Sequence, residues 1–311
     1  MKVSFITTIL NEEKTVISLL ASLTKQTKKP DEIIIVDAGS KDKTIVKIKA
    51  FQKKHPQIKI RLFFKKGANR SQGRNLAIKK AENEIIAISD AGCTLSSHWL
   101  EKITKPLQNP QVNVVTGFYQ PQTQNVFQKC LSCYTCPDIY HFRQEKFLPS
   151  SRSIAFQKSA WEKVGGYPKK LNYCEDLIFA QKLKKKGLKF QLAPQAIVYW
   201  PQRKNLQQAF KQFYHYAFGD GQAFFSPFQS HSLKIALIFG RYSIGSIFLF
   251  WGFAHQAAWL ILTALVLAYF LWAILKNYRY VKKWPALFLL PLLQITADIA
   301  IIFGTMKGIT T

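Results

Sequence analysis

Acidic side chains are scarce. The 311-residue chain has 17 Asp and Glu against 44 Lys and Arg, a net charge of +27. That balance excludes an acidic, solvating surface and suits anionic partners such as nucleoside diphosphates or phospholipid headgroups. Cysteines are few and odd in number: Cys93, Cys130, Cys133, Cys136 and Cys174. An odd, clustered set is not a disulfide framework and argues for a reducing, cytosolic compartment. The opening MKVSFITTILNEE lacks an extended apolar stretch before a cleavage site, so it reads as a first strand rather than a signal peptide. No nucleic-acid-reading motif accompanies the charge, which sets nucleic acid aside as a partner.

Strand-like and helix-like runs alternate over the first 110 residues. Strands are expected at 3–9, 33–37, 58–64 and 85–89, and helices at 12–25, 42–53, 70–81 and 98–106. This alternation predicts an α/β fold with a mostly parallel sheet flanked by helices. Ser40 or Asp42 is expected to cap the second helix, and Ser71 lies near the start of the third. Residues 111–148 read as less regular. Beyond them a strand is expected at 153–156, short helices at 158–164 and 175–186, a last strand at 197–200 and a helix over 206–218.

The composition then shifts. Segments 235–254, 257–275 and 285–303 are each close to the ~20 apolar residues that cross a bilayer. The chain is therefore expected to divide into a domain over 1–230 and a membrane region over 231–311 with about three transmembrane helices. Arg241 makes the first segment the weakest; it lies in the interface or hides against a neighbour. Lys276, Arg279, Lys282 and Lys283 mark the second connection as cytosolic, which puts residues 1–232 in the cytosol and the short tail outside. The expected location is the cytoplasmic membrane, multi-pass.

The few acids fall at informative places. Asp37 and Asp90 each end a strand-like apolar run, and ligands of open α/β sheets bind beyond the carboxyl ends of strands. Asp37 could accept a bond from a nucleobase or cap the next helix. Asp90, in ISDAG, could hold a divalent cation or a ribose hydroxyl, or simply close a turn. Arg70 and Arg74 flank a glycine in ANRSQGRN at a helix entrance, a place suited to phosphate contacts. Glu175 and Asp176 open a helix after a Gly-Gly-Tyr turn, as dipole partners or with one of them as general base. Cys130, Cys133 and Cys136, at C-x2-C-x2-C spacing, with His141 or Cys174, could form a metal site; buried or lightly exposed thiols are the better reading.

Taken together and in order, SFITTILNEEKTVISLLASLTKQTKKPDEIIIVDAGSKDKT, GRNLAIKKA, ISDAGC, SSRSIAFQKSAWEKVGGYPKKLNYCEDLIFAQKLKKKG and APQAIVYWPQR resemble the family 2 glycosyltransferases of GT-A fold over roughly residues 1–220. That resemblance implies an inverting enzyme that moves a sugar from a nucleoside-diphosphate-sugar to a hydroxyl of a lipid-linked or polysaccharide acceptor at the cytosolic membrane face. It implies that Asn11, Glu12, Asp37, Arg74 and Asp90 bind the nucleotide-sugar; Arg152, in SSRSIAF, is a further candidate for contact with the donor diphosphate or the acceptor, or a structural Arg. Asp90 would be the metal position, and Asp176, with Glu175 beside it, the catalytic pair. The implied cofactor is Mn²⁺ or Mg²⁺, yet Gly92 stands where the family has the second acid of Asp-x-Asp. The Gln-x-x-Arg-Trp motif of processive synthases is absent; the nearest text is Gln212-Phe213-Tyr214-His215-Tyr216. Two other readings are a polyprenyl-phosphate glycosyl synthase and a non-catalytic nucleotide-sugar-binding membrane protein.

Overall fold

The structure is a computed structural model that describes residues 1–136, 147–223 and 232–311. They form two compact units. One comprises Met1–Gln122 and the described part of Pro137–Pro201; the other comprises Thr123–Cys136 and Gln202–Thr311.

The first unit is built on an eight-stranded sheet in the order β3-β2-β1-β4-β7-β6-β8-β5. Its strands are β1 (Val3–Ile9), β2 (Glu32–Asp37), β3 (Ile60–Phe64), β4 (Ile85–Ile88), β5 (Thr94–Leu95), β6 (Val114–Gln122), β7 (Ile154–Gln157) and β8 (Phe190–Pro201). The strands β3, β2, β1 and β4 pair in parallel. β2, EIIIVD, is buried at every residue, as a central parallel strand covered on both faces must be. The helices around the sheet are α1 (Val16–Thr24), α2 (Thr44–Lys54), α3 (Arg70–Lys80), α4 (Trp99–Thr104), α6 (Lys158–Lys163) and α7 (Glu175–Lys185).

Beyond β4 the sheet turns mixed rather than mostly parallel. β7 runs antiparallel to β4 and to β6, while β8 runs parallel to β6 and antiparallel to β5. This reversal brings several ends to one edge. Ile154 at the start of β7 pairs with Ile88 at the end of β4. Residues 150–153 therefore lead in at the edge where β1, β2 and β4 end. β6 and β8 also finish there, with Tyr119 beside Val198 and Pro121 beside Trp200.

Two expectations are corrected. The stretch 111–148, read as less regular, contains β6 and a helix, α5 (Val126–Thr135), whose Asn125 accepts a bond from the Gln128 N–H at 2.9 Å. Gly117, Pro121 and two glutamines, Gln120 and Gln122, disguise β6 as a loop. The last strand begins at Phe190, not 197, because a register shift between Thr116 and Phe118 bulges the pairing around Pro194. Of the expected caps, Asp42 accepts the Thr44 N–H at 3.0 Å at the head of α2, whereas Ser40 bonds elsewhere. α3 is capped by Asn69, in a reciprocal pair with Gln72, and not by Ser71.

The second unit contains α5, α8 (Leu206–Gln222), α9 (Ser232–Gly252), α10 (Gln256–Val281) and α11 (Ala286–Ile309). Cys130 and Leu131 of α5, Ala209 and Phe213 of α8, and Leu290 and Leu293 of α11 share one core. Three helices, Leu233–Gly252, Gln256–Val281 and Ala286–Ile309, are long and apolar enough to cross a membrane. Arg241 hides against neighbours: it pairs with Asp298, which also accepts from the Tyr269 hydroxyl at 2.7 Å and from Gln294 Nε2 at 2.9 Å.

One buried acid fastens the parallel half of the sheet. Glu32 is 1% exposed and accepts from Ser4 Oγ at 2.6 Å, the Glu82 N–H at 2.7 Å and Arg61 Nη1 at 2.8 Å. Burial disfavours its charge, but these donors outweigh that and hold the carboxyl below its ordinary range. Glu32→Ala is expected to cost about 2–4 kcal/mol, because it strands three donors. In wild type the contribution of Glu32 is present above the ordinary glutamate range and lost as pH falls through the lower folded value. Thermal unfolding in detergent between pH 3 and 7 checks both; equal midpoints for wild type and variant at pH 7 would contradict them.

Candidate active site

Two groups of side chains gather at the strand-end edge of the first unit. The first lies where β1 and β2 finish, Ile9 being in register with Asp37. Asn11 takes a left-handed conformation at φ 54°, which Asn tolerates better than most residues. Its N–H donates to Ser40 Oγ at 2.9 Å, and its Oδ1 accepts the Lys41 N–H at 2.8 Å. Asp37 is 2% exposed; it accepts from the Gly39 N–H at 2.9 Å, the Ser40 N–H at 3.0 Å and Ser40 Oγ at 2.6 Å. Its carboxylate thus shapes the 37–40 turn and keeps acceptor capacity for one further donor. The Glu12 N–H donates to Thr44 Oγ1 at 2.8 Å, and the Glu12 carboxylate accepts from Thr15. Ser40, expected as a helix cap, instead ties these two strand ends together with Thr44, which was not singled out from sequence; its signal is the GSKDKT run after Asp37.

The second group centres on Arg74. Gly73 lets α3 approach the sheet, since a Cβ there would come within 2.7 Å of Thr8 Cγ2. Arg74, the next residue, is consequently buried, with Nη2 at 2.8 Å from Asp90 and Nη1 at 2.5 Å from Glu175. Burial alone opposes the Arg74 charge, but Glu175 and Asp90 reverse this and push its pKa up. Burial pushes the Glu175 carboxyl up; Arg74 offsets this only in part, and neighbouring Asp176 adds to it. Desolvation also disfavours charge on Asp90, yet Arg74, Arg152 and Arg70 prevail and hold that carboxyl down.

Arg152 comes from the lead-in to β7, for the topological reason given above. Its Nε lies 3.9 Å from Asp90 Oδ2, and its Nη1 donates to Ser150 Oγ at 3.1 Å. Its guanidinium stacks 4.0 Å over the Trp200 ring and 5.4 Å from that of Tyr119. Ser150 in turn donates to Asp176 Oδ2 at 3.0 Å. Asp176 sits in the first turn of α7, where the helix dipole favours a carboxylate, and is half-buried, whereas Glu175 is 5% exposed. Cys174 precedes them at φ 61°, an uncommon conformation for a non-glycine residue at the entry to a helix.

Asp90, Arg74, Arg152, Glu175 and Asp176, drawn from positions up to 102 apart in sequence, therefore form one connected network. Asn11, Glu12 and Asp37 form the other. Arg70 stands beside the network, donating to the Asn172 carbonyl at 3.0 Å and lying over the Tyr173 ring. Supports not named in advance are Asn75 and Tyr167. Asn75 Oδ1 accepts the Tyr167 N–H at 2.9 Å, and the buried Tyr167 ring stacks on Phe179 at 4.0 Å and lies 5.5 Å below Arg74. The sequence signals were Asn75 beside Arg74 and the Tyr of the Gly-Gly-Tyr turn.

The cysteine run reads differently. Among the described residues no three His, Cys, Asp or Glu gather as a metal group. Cys130 is buried and its thiol is pushed up to about 12 by that burial, the state of an inert packing thiol. Cys133 bonds the Lys129 carbonyl, Cys136 accepts from Gln202 Nε2, and His141 lies outside the described residues.

Comparison with known proteins bears on the fold and the family. The sequence profile of glycosyl transferase family 2 matches residues 4–164, and that of glycosyl transferase family group 2 matches residues 85–299. The O-antigen chain rhamnosyltransferase of Salmonella typhimurium is 22% identical over 227 residues, covering 69% of this chain and 71% of that protein. An uncharacterized glycosyltransferase of Haemophilus influenzae is 28% identical over 188 residues, covering 58% of this chain and 61% of its own length. Among solved structures, a mannosyltransferase from Pyrobaculum calidifontis in complex with GDP-Man and Mn²⁺ superposes with a TM-score of 0.63 at 19% identity, over 99% of this chain and 86% of that one. TarS of S. aureus in complex with UDP-GlcNAc gives 0.52 at 17% identity, over 99% and 91%. These structural likenesses establish a shared fold, and the profile match extends over more than half of the sequence. The chain belongs to glycosyl transferase family 2.

Proposed function

We propose that the protein is a membrane-anchored, inverting glycosyltransferase. It moves a sugar from a nucleoside-diphosphate-sugar to a hydroxyl of a lipid-linked or polysaccharide acceptor on the cytosolic face. The observation that carries this reading is the buried Arg74 bridge. By binding Asp90 and Glu175 together, it fixes the strand-end carboxylate at a set distance from the first turn of α7. Glu175, buried and held by Arg74, acts as a positioning residue. Asp176, half-buried and bonded to Ser150, is the group available to the acceptor.

The step is a single displacement. Asp176 takes the proton of the acceptor hydroxyl as that oxygen bonds to the anomeric carbon. The bond from that carbon to the donor diphosphate breaks, its electron pair leaves with the diphosphate, and attack from the opposite face inverts the centre. Asn11, Glu12 and Asp37 hold the nucleotide end of the donor. Arg152 and Arg74 lend positive charge to the leaving diphosphate.

A divalent cation fits the site only in part. Asp90 offers a carboxylate whose side chain is 36% exposed, but its Oδ1 is engaged by Arg74. Asp90 and the donor diphosphate oxygens would hold Mn²⁺ or Mg²⁺, which when bound neutralises the leaving group. The Pyrobaculum protein binds GDP-Man with Mn²⁺ and the S. aureus protein binds UDP-GlcNAc, so relatives of this fold take different donors. For the membrane face, Lys276, Arg279, Lys282 and Lys283 beside the apolar helices support a cytosolic site.

A donor panel incubated with membranes that contain the protein, with products read by mass, tests the reaction. Transfer to a hydroxyl with inverted configuration is the expected outcome. An acid-labile single sugar on lipid phosphate would replace this reading with the polyprenyl-phosphate synthase, and donor binding without turnover with a binding protein.

Asp176→Asn keeps the side-chain size but removes the base. Turnover is expected to fall roughly 10²–10⁴-fold with donor affinity little changed. Undiminished turnover in this variant would remove Asp176 from the mechanism.

Metal and donor are expected to bind with positive coupling, since one carboxylate is a poor site until the diphosphate adds its oxygens. Gly92 has no positive φ, and a Cβ there meets nothing within 4 Å. Gly92→Asp should therefore fold normally and lower the Mn²⁺ concentration needed for half-maximal activity. Calorimetry of the donor with Mn²⁺ or with EDTA checks the coupling. Identical binding and transfer under both conditions would leave the leaving group to Arg74 and Arg152 alone.

A further inference from the structure

The turn that leads into β7 holds more hydrogen bonds than a turn requires. It is closed by the Ser153 N–H, which donates to the Ser150 carbonyl at 3.0 Å. That bond is backbone only, so the turn itself needs no hydroxyl at position 150. The Ser150 hydroxyl is committed elsewhere. Its oxygen accepts from Arg152 Nη1 at 3.1 Å and from the Arg152 N–H at 3.4 Å. A serine oxygen has two lone pairs and one hydrogen. With both lone pairs turned to Arg152, the hydrogen is left for Asp176 Oδ2, 3.0 Å away and 26 residues further along the chain. Arg152 thus fixes the direction in which the hydroxyl points.

The two oxygens of Asp176 are filled unevenly. Oδ2 accepts from the Ser150 hydroxyl and, more weakly, from the Ser151 N–H at 3.4 Å. Oδ1 accepts from the Leu177 N–H at 2.9 Å, one of the amides that the first turn of α7 leaves without a helical partner. Among the described residues two donors therefore occupy Oδ2 and one occupies Oδ1, so the remaining acceptor position of this carboxylate lies on Oδ1. The other serines of the turn brace it. Ser151 Oγ and the Tyr167 hydroxyl share a buried bond at 2.9 Å. Ser153 Oγ accepts from Trp99 Nε1 at 2.8 Å and donates to the Ala196 carbonyl at 3.2 Å. Gly117 makes room for it, since a Cβ there would collide with Ser153 Oγ. Of the three hydroxyls, only that of Ser150 meets Asp176.

We infer that Ser150 is a positioning residue of the transfer step: oriented by Arg152, it holds Oδ2 of Asp176 and leaves Oδ1 to take the proton of the acceptor hydroxyl. The proton passes to Oδ1 as the acceptor oxygen bonds to the anomeric carbon, and the diphosphate leaves with the electron pair of the broken bond. This role rests on the reading above, in which Asp176 is the base and Arg152 meets the leaving diphosphate. Ser150 then joins the two ends of one displacement, because the side chain that meets the leaving group also sets the hydroxyl that aims the base. Misplacing a reacting group by about 1 Å is enough to cost roughly 10²-fold in rate.

Turnover of the full chain in membranes tests the role. Ser150→Ala is expected to lower kcat about 10–10²-fold with the donor KM little changed, and Ser150→Thr, which keeps the hydroxyl, to recover most of that loss. A residue that acts through Asp176 has nothing to aim once the base is gone. The double variant Ser150→Ala, Asp176→Asn is therefore expected to turn over no more slowly than Asp176→Asn alone. Losses that multiply in the double variant would show a general structural role and overturn the inference, as would wild-type turnover in Ser150→Ala. In either event an impaired Asp176→Asn still leaves Asp176 as the base, whereas a wild type that transfers from no donor removes both readings. Thermal unfolding in detergent accompanies each variant. Should Ser150→Ala melt early, Ser150→Cys, close in shape but a weak donor, takes its place under the same expectations.

Discussion

A buried guanidinium cannot stand alone, and the site around Arg74 follows from that constraint. Taking an arginine out of water is costly unless its fork is filled, and here Asp90 fills one arm and Glu175 the other. Satisfying it obliges the loop after β4 and the start of α7 to meet beside α3. Losing Arg74 would leave a carboxylate buried at Glu175 without its cation, a type of loss worth about 3–5 kcal/mol. That is a large part of the roughly 5–15 kcal/mol that holds a domain folded. Lysine would not serve, because a single ammonium lacks the fork that spans two carboxylates.

The charge excess has a local meaning in the same place. Arg70, Arg74 and Arg152 all act on Asp90. The family pattern would supply a second acid two residues later, but this chain has Gly92 in open space. One strand end thus carries one acid, Asp90, and three guanidinium groups that act on it. Arg152 is braced over the Trp200 ring and pairs with Asp90 at 3.9 Å.

Much of this was legible in the sequence where a single periodicity governed. β1, β2 and β4 are apolar runs that end at polar residues, and they fall where expected because both faces of a central parallel strand are covered. β6 was not legible, since its glycine, proline and glutamines obey no alternation and its identity depends on partners at 154–156 and 190–201. The candidate residues were readable as types, but their grouping was not. Nothing local to SSRS says that Arg152 will meet Asp90; that follows from β7 running antiparallel to β4. Nor does GGY announce that Tyr167 will lie beneath Arg74.

The membrane region marks the same limit at larger scale. A hydropathy window sums residues along one helix, so α10 and α11 look alike to it. It carries no information on which helix has a polar companion. Gly304 and Gly308 do carry it, because a glycine pair four residues apart on an apolar helix admits another backbone. In a membrane that companion would be another apolar helix; here it is α8, whose outer face is Gln and Lys. Asp298 adds to this, for a buried carboxylate satisfied by Arg241, Tyr269 and Gln294 belongs to a helix that several partners surround. The core that α5, α8 and α11 share, and not the hydropathy of one helix, accounts for the buried face of α11.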